Sequence, residues 1–218
     1  MCFNGLSKHL QGGFIKKNMV QNPYQNALLP APVGGGYSDP DYWIWCGSVV
    51  QGEDGAYHMF ASRWPKDLGF GANWLFNCEI VRASSKNPEG PYTFQEVVLG
   101  RRGRTFFDGM NVHNPYIRKW NKTYYLYYMG TTFGGPIPGP GDEVDSSRFT
   151  EVWNRKRIGL ATAPSVFGPW TRCDEPLISP RDCSHWDCTA TTNPAVAIQP
   201  DGTTYMLYKS RSFADGPL

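Results

Sequence analysis

Three aspartates stand at matching places in this chain. Asp41, Asp108 and Asp187 each lie just ahead of a stretch rich in aromatic and β-branched residues. Asp108 precedes Asn114-Pro115 by the same spacing that separates Asp187 from Asn193-Pro194. Around Asp41 the match is looser, and Cys46-Gly47 stands where Asn-Pro would be. Carboxylates gathered from distant segments can hydrolyse acetals: a protonated carboxyl serves the leaving oxygen while an ionised one activates water. Repulsion between neighbouring carboxylates raises one pKa and separates the two roles. A structural expectation competes with this one. An acid that recurs in every repeat also suits a turn, where its carboxylate caps backbone N–H groups. Glu79 and Glu151 precede other strands and are alternative proton donors.

Residues that break the repeat point to binding. His113 has Thr192 as its counterpart, so the second repeat has an imidazole where the third has a hydroxyl. Arg63-Trp64 follows the first aromatic run, and Lys209 and Arg211 follow the third. Trp43 and Trp45 alternate with Ile44 and so share one face of a strand. With Trp64, Trp74 and Trp186 they gather near the same strand starts, where indoles serve as platforms for apolar sugar faces or pack between sheets. The substrate-binding set expected from these patterns is Trp43, Trp45, Arg63, His113, Asn114, Asn193 and Lys209.

The elements that must position these residues are hairpins. Residues 108–130 contain an apolar run, a polar Asn121-Lys122 turn and the aromatic run Thr123 to Tyr128. Residues 187–210 repeat that plan around Asp201-Gly202, and residues 41–62 repeat it around Asp54-Gly55. Between the hairpins a second unit recurs at identical spacing. Arg82-Ala83-Ser84 leads to Gly90-Pro91-Tyr92, and Leu160-Ala161-Thr162 leads to Gly168-Pro169-Trp170. Hairpin, strand, Gly-Pro turn and last strand make a four-stranded blade, so the expected fold is an all-β propeller. Residues 1–36 read as an N-terminal arm and residues 37–218 as a partial propeller of about two and a half blades. Inner strands of a propeller share one axis, and that would bring the three aspartates together. The Gly/Pro-rich loop over residues 133–145 is expected to rim a binding site.

Composition agrees with this architecture. Of 218 residues 15% are aromatic, Gly and Pro are abundant, and no long stretch has helical apolar periodicity. A net charge of +2 with mixed signs gives no footprint for nucleic acid, and no run is long enough to span a bilayer. Residues 1–20 carry scattered lysines and no apolar core, so no secretory leader is legible. The six cysteines lack zinc-type spacing and are expected to be buried thiols, with Cys183, His185, Asp187 and Cys188 as a weaker metal reading. No GxSxG, Walker loop or dinucleotide fingerprint is present.

The stretches DGAYHMFAS, HNPYIRKWNKTYYLYYMG, RIGLATAPSVFGPW and TNPAVAIQPDGTTYMLYKS resemble the five-bladed propeller glycoside hydrolases of family 43 and its family 117 relatives. The resemblance implies an inverting hydrolase of arabinose-, xylose- or galactose-type linkages in plant or algal oligosaccharides. It implies a base from blade one (Asp41, or Asp39 before it), an orienting acid from blade two (Asp108) and an acid from blade three, where Asp187 replaces the family's Glu. The Asn-Asp-Pro-Asn type motif of the related retaining fructosidases is absent. No cofactor is expected beyond a structural calcium on the axis. The expected partner is an oligosaccharide, with a second copy of the chain as a candidate to complete the propeller. A carbohydrate-binding propeller without catalysis is the alternative.

Overall fold

The computed structural model describes residues 27–212. The chain divides into two compact units, Met1–Pro32 and Val33–Leu218. Of the first, only residues 27–32 are described, and all are exposed. The expected arm over residues 1–36 therefore falls mostly outside the described residues.

The second unit is built from three antiparallel sheets in sequence order. β1 (Tyr42–Gln51), β2 (Tyr57–Pro65), β3 (Glu79–Ser85) and β4 (Thr93–Leu99) form the first blade. The second blade is β5 (Asn111–Trp120), β6 (Thr123–Thr131), β7 (Arg157–Ala163) and β8 (Thr171–Arg172). β9 (Ala190–Ile198) and β10 (Thr204–Arg211) form a two-stranded third sheet. The blade repeat read from the sequence is thus present, with strands paired to their chain neighbours throughout. The last strand of blade two is shorter than the expected Thr171 to Ile178. After Arg172 only an isolated bridge joins Ile178 to Ile158.

Turn chemistry sets the hairpins. Asn121 sits at φ 53°, a left-handed conformation that Asn tolerates, so Trp120 pairs with Thr123 across a two-residue turn. The carboxylate of Asp54 accepts from the Ala56 N–H at 3.1 Å, and that of Asp201 from the Thr203 N–H at 2.9 Å. Gly90 marks the Gly-Pro turn of blade one at φ 90°. A Cβ there would lie 2.7 Å from the Gly36 carbonyl oxygen, so close backbone approach requires glycine.

Blades one and two enclose a common core. Phe60, Ile80, Leu99, Val112, Ile117, Tyr124, Leu126 and Tyr128 are all essentially fully buried within it. β6 is covered on both faces, hence its unbroken run of apolar and aromatic residues. β10 alternates, leaving Tyr205 and Leu207 more than half exposed.

Polar latches fix one blade against the next. Ser62 Oγ accepts from the Asn114 N–H at 2.9 Å, and Ser48 Oγ from the Ile117 N–H at 3.1 Å. Thr191 Oγ1 accepts from the Ile158 N–H at 3.2 Å, and Arg118 Nε donates to the Val196 carbonyl at 2.8 Å. At the rim, the Glu53 carboxylate of the β1–β2 turn accepts from Tyr124 OH at 2.7 Å, from Ser165 Oγ and from the Val166 N–H. Burial works against its ionisation, but the hydrogen bonds from Ser165 and Tyr124 prevail and hold its pKa down to about 2, against an ordinary 4.5. A carboxyl depressed on folding stabilises fully above its unfolded pKa and loses that contribution as pH falls through the folded one. Acid unfolding should therefore begin to draw on this latch below about pH 4.5. Glu53→Gln should flatten the fall of Tm between pH 4.5 and 2, as thermal melts across that range will show.

Two short helices interrupt the β plan, each in the connection between the second and third strands of a blade. α1 (Trp74–Asn77) precedes β3, and α2 (Ser146–Asn154) precedes β7. The Asp145 carboxylate caps α2 by accepting from the Arg148 N–H at 2.9 Å. Between them lies a second apolar cluster of Leu75, Phe76, Met110, Phe133 and Val152. No helix among the described residues is long and apolar enough to cross a membrane.

Candidate functional site: a cavity at the inner-strand bulges

Each inner strand is broken at the same place. The β1–β2 register shifts between Trp45 and Ser48, and the β5–β6 register between His113 and Tyr116. In the third sheet it shifts between Leu207 and Lys209, opposite Thr192 and Ala195. At each bulge one residue adopts φ near 50°: Cys46, Asn114 and Asn193. Asn is the side chain most at ease there after Gly, which accounts for the Asn-Pro step, and Cys46-Gly47 is its true counterpart. A bulge re-aims side chains. Here the bulges carry Trp45, then His113 and Asn114, then Thr192 and Asn193, to the wall of one cavity of about 270 Å³. That volume is near the lower end for small-molecule sites, which span roughly 300–1,000 Å³.

The rest of the wall is aromatic and basic. Trp64 comes from β2, Phe70 from the loop after it and Trp74 from α1. Trp153 comes from α2, Lys156 from the residue ahead of β7 and Lys209 from β10. The Trp74 ring lies 5.1 Å from the His113 ring and meets Trp153 edge-on at 5.7 Å. His113 is 3% exposed, and neither ring nitrogen has a hydrogen-bond partner among the described residues. Burial, with the Lys156 charge beside it, holds its pKa down to about 3, so the imidazole is neutral at physiological pH. Asn114 Oδ1 is likewise buried and unpartnered. Buried polar atoms without partners are costly unless something else supplies the bond. Among the described residues no carboxylate lines the cavity.

Of the substrate-binding set expected from sequence, Trp45, His113, Asn114, Asn193 and Lys209 come together here. Trp43 does not. It packs edge-on against Phe70 at 5.3 Å, behind the wall. Nor does Arg63, which donates to Glu79 at 2.8 Å and is stacked between the rings of Tyr42 and Phe94. Trp186 is exposed and stacks on Tyr208. Phe70, Trp153 and Lys156 lie outside the expected set. Their signal is the Trp-x-x-Lys step after a capped helix, which reads as a surface helix end until the helix is packed.

The three aspartates expected to be catalytic sit in separate surroundings. Asp108 is fully buried, but in a clasp of its own. It accepts from Arg102 Nε at 2.7 Å, Tyr128 OH at 2.7 Å and Arg172 Nη1 at 3.3 Å. Asp187 repeats that clasp in the third sheet, accepting from Arg181 Nε at 2.7 Å and Tyr208 OH at 2.6 Å. Burial opposes the ionisation of Asp187, yet the bonds from Tyr208 and Arg181 keep its carboxyl below the usual range. Both acids share an Arg-x5-Asp spacing and a tyrosine from the following strand, so they serve one structural role twice. Asp41 is exposed, and its carbonyl oxygen accepts from the Lys66 N–H. Neighbouring Asp39 caps the start of β1, its carboxylate accepting from the N–H groups of Asp41 and Tyr42. The three aspartates have disjoint partners, and none lines the cavity. Glu79 is taken by Arg63, and Glu151 pairs with Arg155 on the exposed side of α2.

The metal reading near Cys183 gains no support from the side-chain positions. Asp187 belongs to its clasp and His185 pairs with Asp182, so no group of metal-binding side chains converges among the described residues. Five cysteines are described, all as free thiols. Cys78 is buried as expected, Cys46 and Cys188 are half-buried, and Cys173 and Cys183 are exposed.

No protein-family model matches the sequence, and no curated protein does. Solved structures do match. Zg3597, a family 117 glycoside hydrolase produced by the marine bacterium Zobellia galactanivorans, is similar at 21% identity and a TM-score of 0.59, over 79% of this chain and 49% of that one. BT0996, solved as an RGII complex, is similar at 17% identity and a TM-score of 0.54, over 82% and 50%. RS223-β-xylosidase follows at 16% identity and 0.51, over 77% and 43%. The chain thus spans about half the length of the structures it matches. Blade order, strand pairing and these likenesses agree on one fold, an all-β propeller like that of the family 117 glycoside hydrolase Zg3597.

Proposed function

We propose that the protein is a carbohydrate-active propeller of the glycoside hydrolase kind, and that the cavity at the inner-strand bulges is its sugar site. One observation carries this reading. Bulges in the second and third sheets aim an imidazole, two amides and a hydroxyl into a cavity walled by tryptophans, one of which comes from the equivalent bulge of the first sheet. Indole faces match the apolar face of a sugar ring, and amides and neutral imidazole match its hydroxyls. The named activities of the solved neighbours point to the same ligand class.

Cleavage of terminal or branch glycosidic bonds, with inversion, is the fuller form of this reading. Inversion needs an acid and a base carboxyl about 6.5–9.5 Å apart. The cavity lining supplies neither, which favours recognition without turnover by the described residues, the second reading.

Tryptophan fluorescence separates these outcomes. Titration with xylose, arabinose, galactose and oligosaccharides from plant and algal polysaccharides should give saturable quenching. Trp74→Ala should weaken it about tenfold, a loss of about 1.4 kcal/mol. Release of the aglycone from aryl glycosides would establish cleavage, and binding without release would establish recognition alone. Absence of any saturable response across the panel overturns the sugar site.

A further inference from the structure

Among the described residues the cavity is lined by two lysines and no acid. Lys156 is 1% exposed, and its Nζ lies 2.7 Å from the centre of the Trp153 ring and 5.8 Å from that of Trp74. Lys209 reaches the same Trp153 ring, with its Nζ 5.7 Å from the centre. Among the described residues no carboxylate pairs with either lysine. Elsewhere the chain neutralises its buried cations. Arg63 has Glu79 and Arg82 has Glu96. Lys156 is the departure from that habit, and it faces a cavity.

We propose that the ligand of this cavity is an anionic sugar, whose single negatively charged oxyanion group is gripped by Lys156 and Lys209 beside the Trp153 ring. The inference rests on the sugar site proposed above and names the class of sugar. Burying an ammonium is expensive unless it is paired, and two ammoniums against one ring repel each other. Ring faces offset part of that cost by cation–π attraction but leave the charge unneutralised. Burial and the charge of Lys209 together push the Lys156 pKa well down, as expected of a site whose counter-charge arrives with the ligand. An oxyanion between the lysines would accept charge-assisted hydrogen bonds from both. Neutral His113 and the amides of Asn114 and Asn193 are then left for ring hydroxyls, which carry no charge to compete for the lysines. A carboxylate at C6 of a hexuronic acid and a sulfate ester on a neutral hexose share this chemistry.

Calorimetric titration with matched sugars tests the proposal. Galactose and glucose serve as the neutral set, galacturonic and glucuronic acids as the carboxylate set, and galactose 6-sulfate as the sulfate ester. The expected result is affinity for one anionic set at least tenfold above the neutral sugars, falling as NaCl is raised, and whichever set leads identifies the source of the charge. Lys156→Met preserves the length and apolar body of the side chain and should erase most of the difference. Lys209→Met alters an exposed side chain and should reduce it without disturbing the fold. Equal affinity for acidic and neutral sugars, or a preference unmoved by Lys209→Met, overturns the anionic assignment and leaves the sugar site standing. Failure of every sugar to bind removes both.

Discussion

Asp108→Asn is expected to lower the melting temperature by roughly ten degrees while leaving the ligand affinity of the folded fraction close to that of the parent. Asp108 is the counter-charge shared by two guanidiniums in its clasp and the sole described one for Arg172: Arg102 also reaches exposed Asp174, but Arg172 otherwise donates to the Gly100 carbonyl. Removing one partner of a buried ion pair costs about 3–5 kcal/mol, because the remaining charge stays buried without compensation. For a chain of 150–250 residues each kcal/mol is worth about 2–4 °C. The amide also presents N–H groups toward arginines that only donate, so the isostere does not rescue the site. Repacking offers no relief. A Cβ on Gly130 would lie 2.3 Å from the Asp108 Cβ, which shows how tightly the acid rests on β6. Tyr128→Phe should give a smaller loss, since it removes one hydrogen bond to a charged group, worth about 1.5–3 kcal/mol. A catalytic aspartate behaves in the opposite way, losing turnover with the melt unchanged. Thermal melts alongside ligand titration therefore decide between clasp and catalyst, and a variant with parental Tm would refute the clasp.

That reversal shows what a repeat does and does not reveal in sequence. The hairpins were legible because strand periodicity and turn residues act locally, and Asn121, Asp54 and Asp201 do in the fold what their types imply. The Asn-Pro recurrence was visible too, but the bulges it marks were not, because an Asn-Pro step alone does not say that the backbone turns left-handed there. Asp108 and Asp187 recur because each closes the same clasp, and the partners Arg102 and Arg181 were visible six residues upstream as Arg-x5-Asp. Lys156 and Trp153 do not recur, and their Trp-x-x-Lys step alone reads as a surface helix end. Their place depends on how α2 packs over α1, which is a tertiary fact.

This dependence makes Phe76 the residue through which the fold most directly controls the cavity. Phe76 is fully buried, meets Phe133 edge-on at 5.0 Å and lies beneath the Arg148 guanidinium. It does not itself line the cavity, yet its cluster packs against Trp74 and Trp153, which do. Phe76→Ala should cost about 3–5 kcal/mol through lost burial and the void left behind. The first consequence is a lower melting temperature. The second is specific to this architecture. With α1 and α2 no longer held against each other, Trp74, Trp153 and Lys156 lose their mutual placement, and sugar affinity should fall about tenfold, or 1.4 kcal/mol, at temperatures where the protein remains folded. Hydrogen exchange should quicken in α1 and α2 and stay slow in β5 and β6, because the main core is a separate cluster. A Phe76→Ala protein that melts early but binds sugar as tightly as the parent would show that the wall is held by the strands alone, and that the second cluster does not support the cavity.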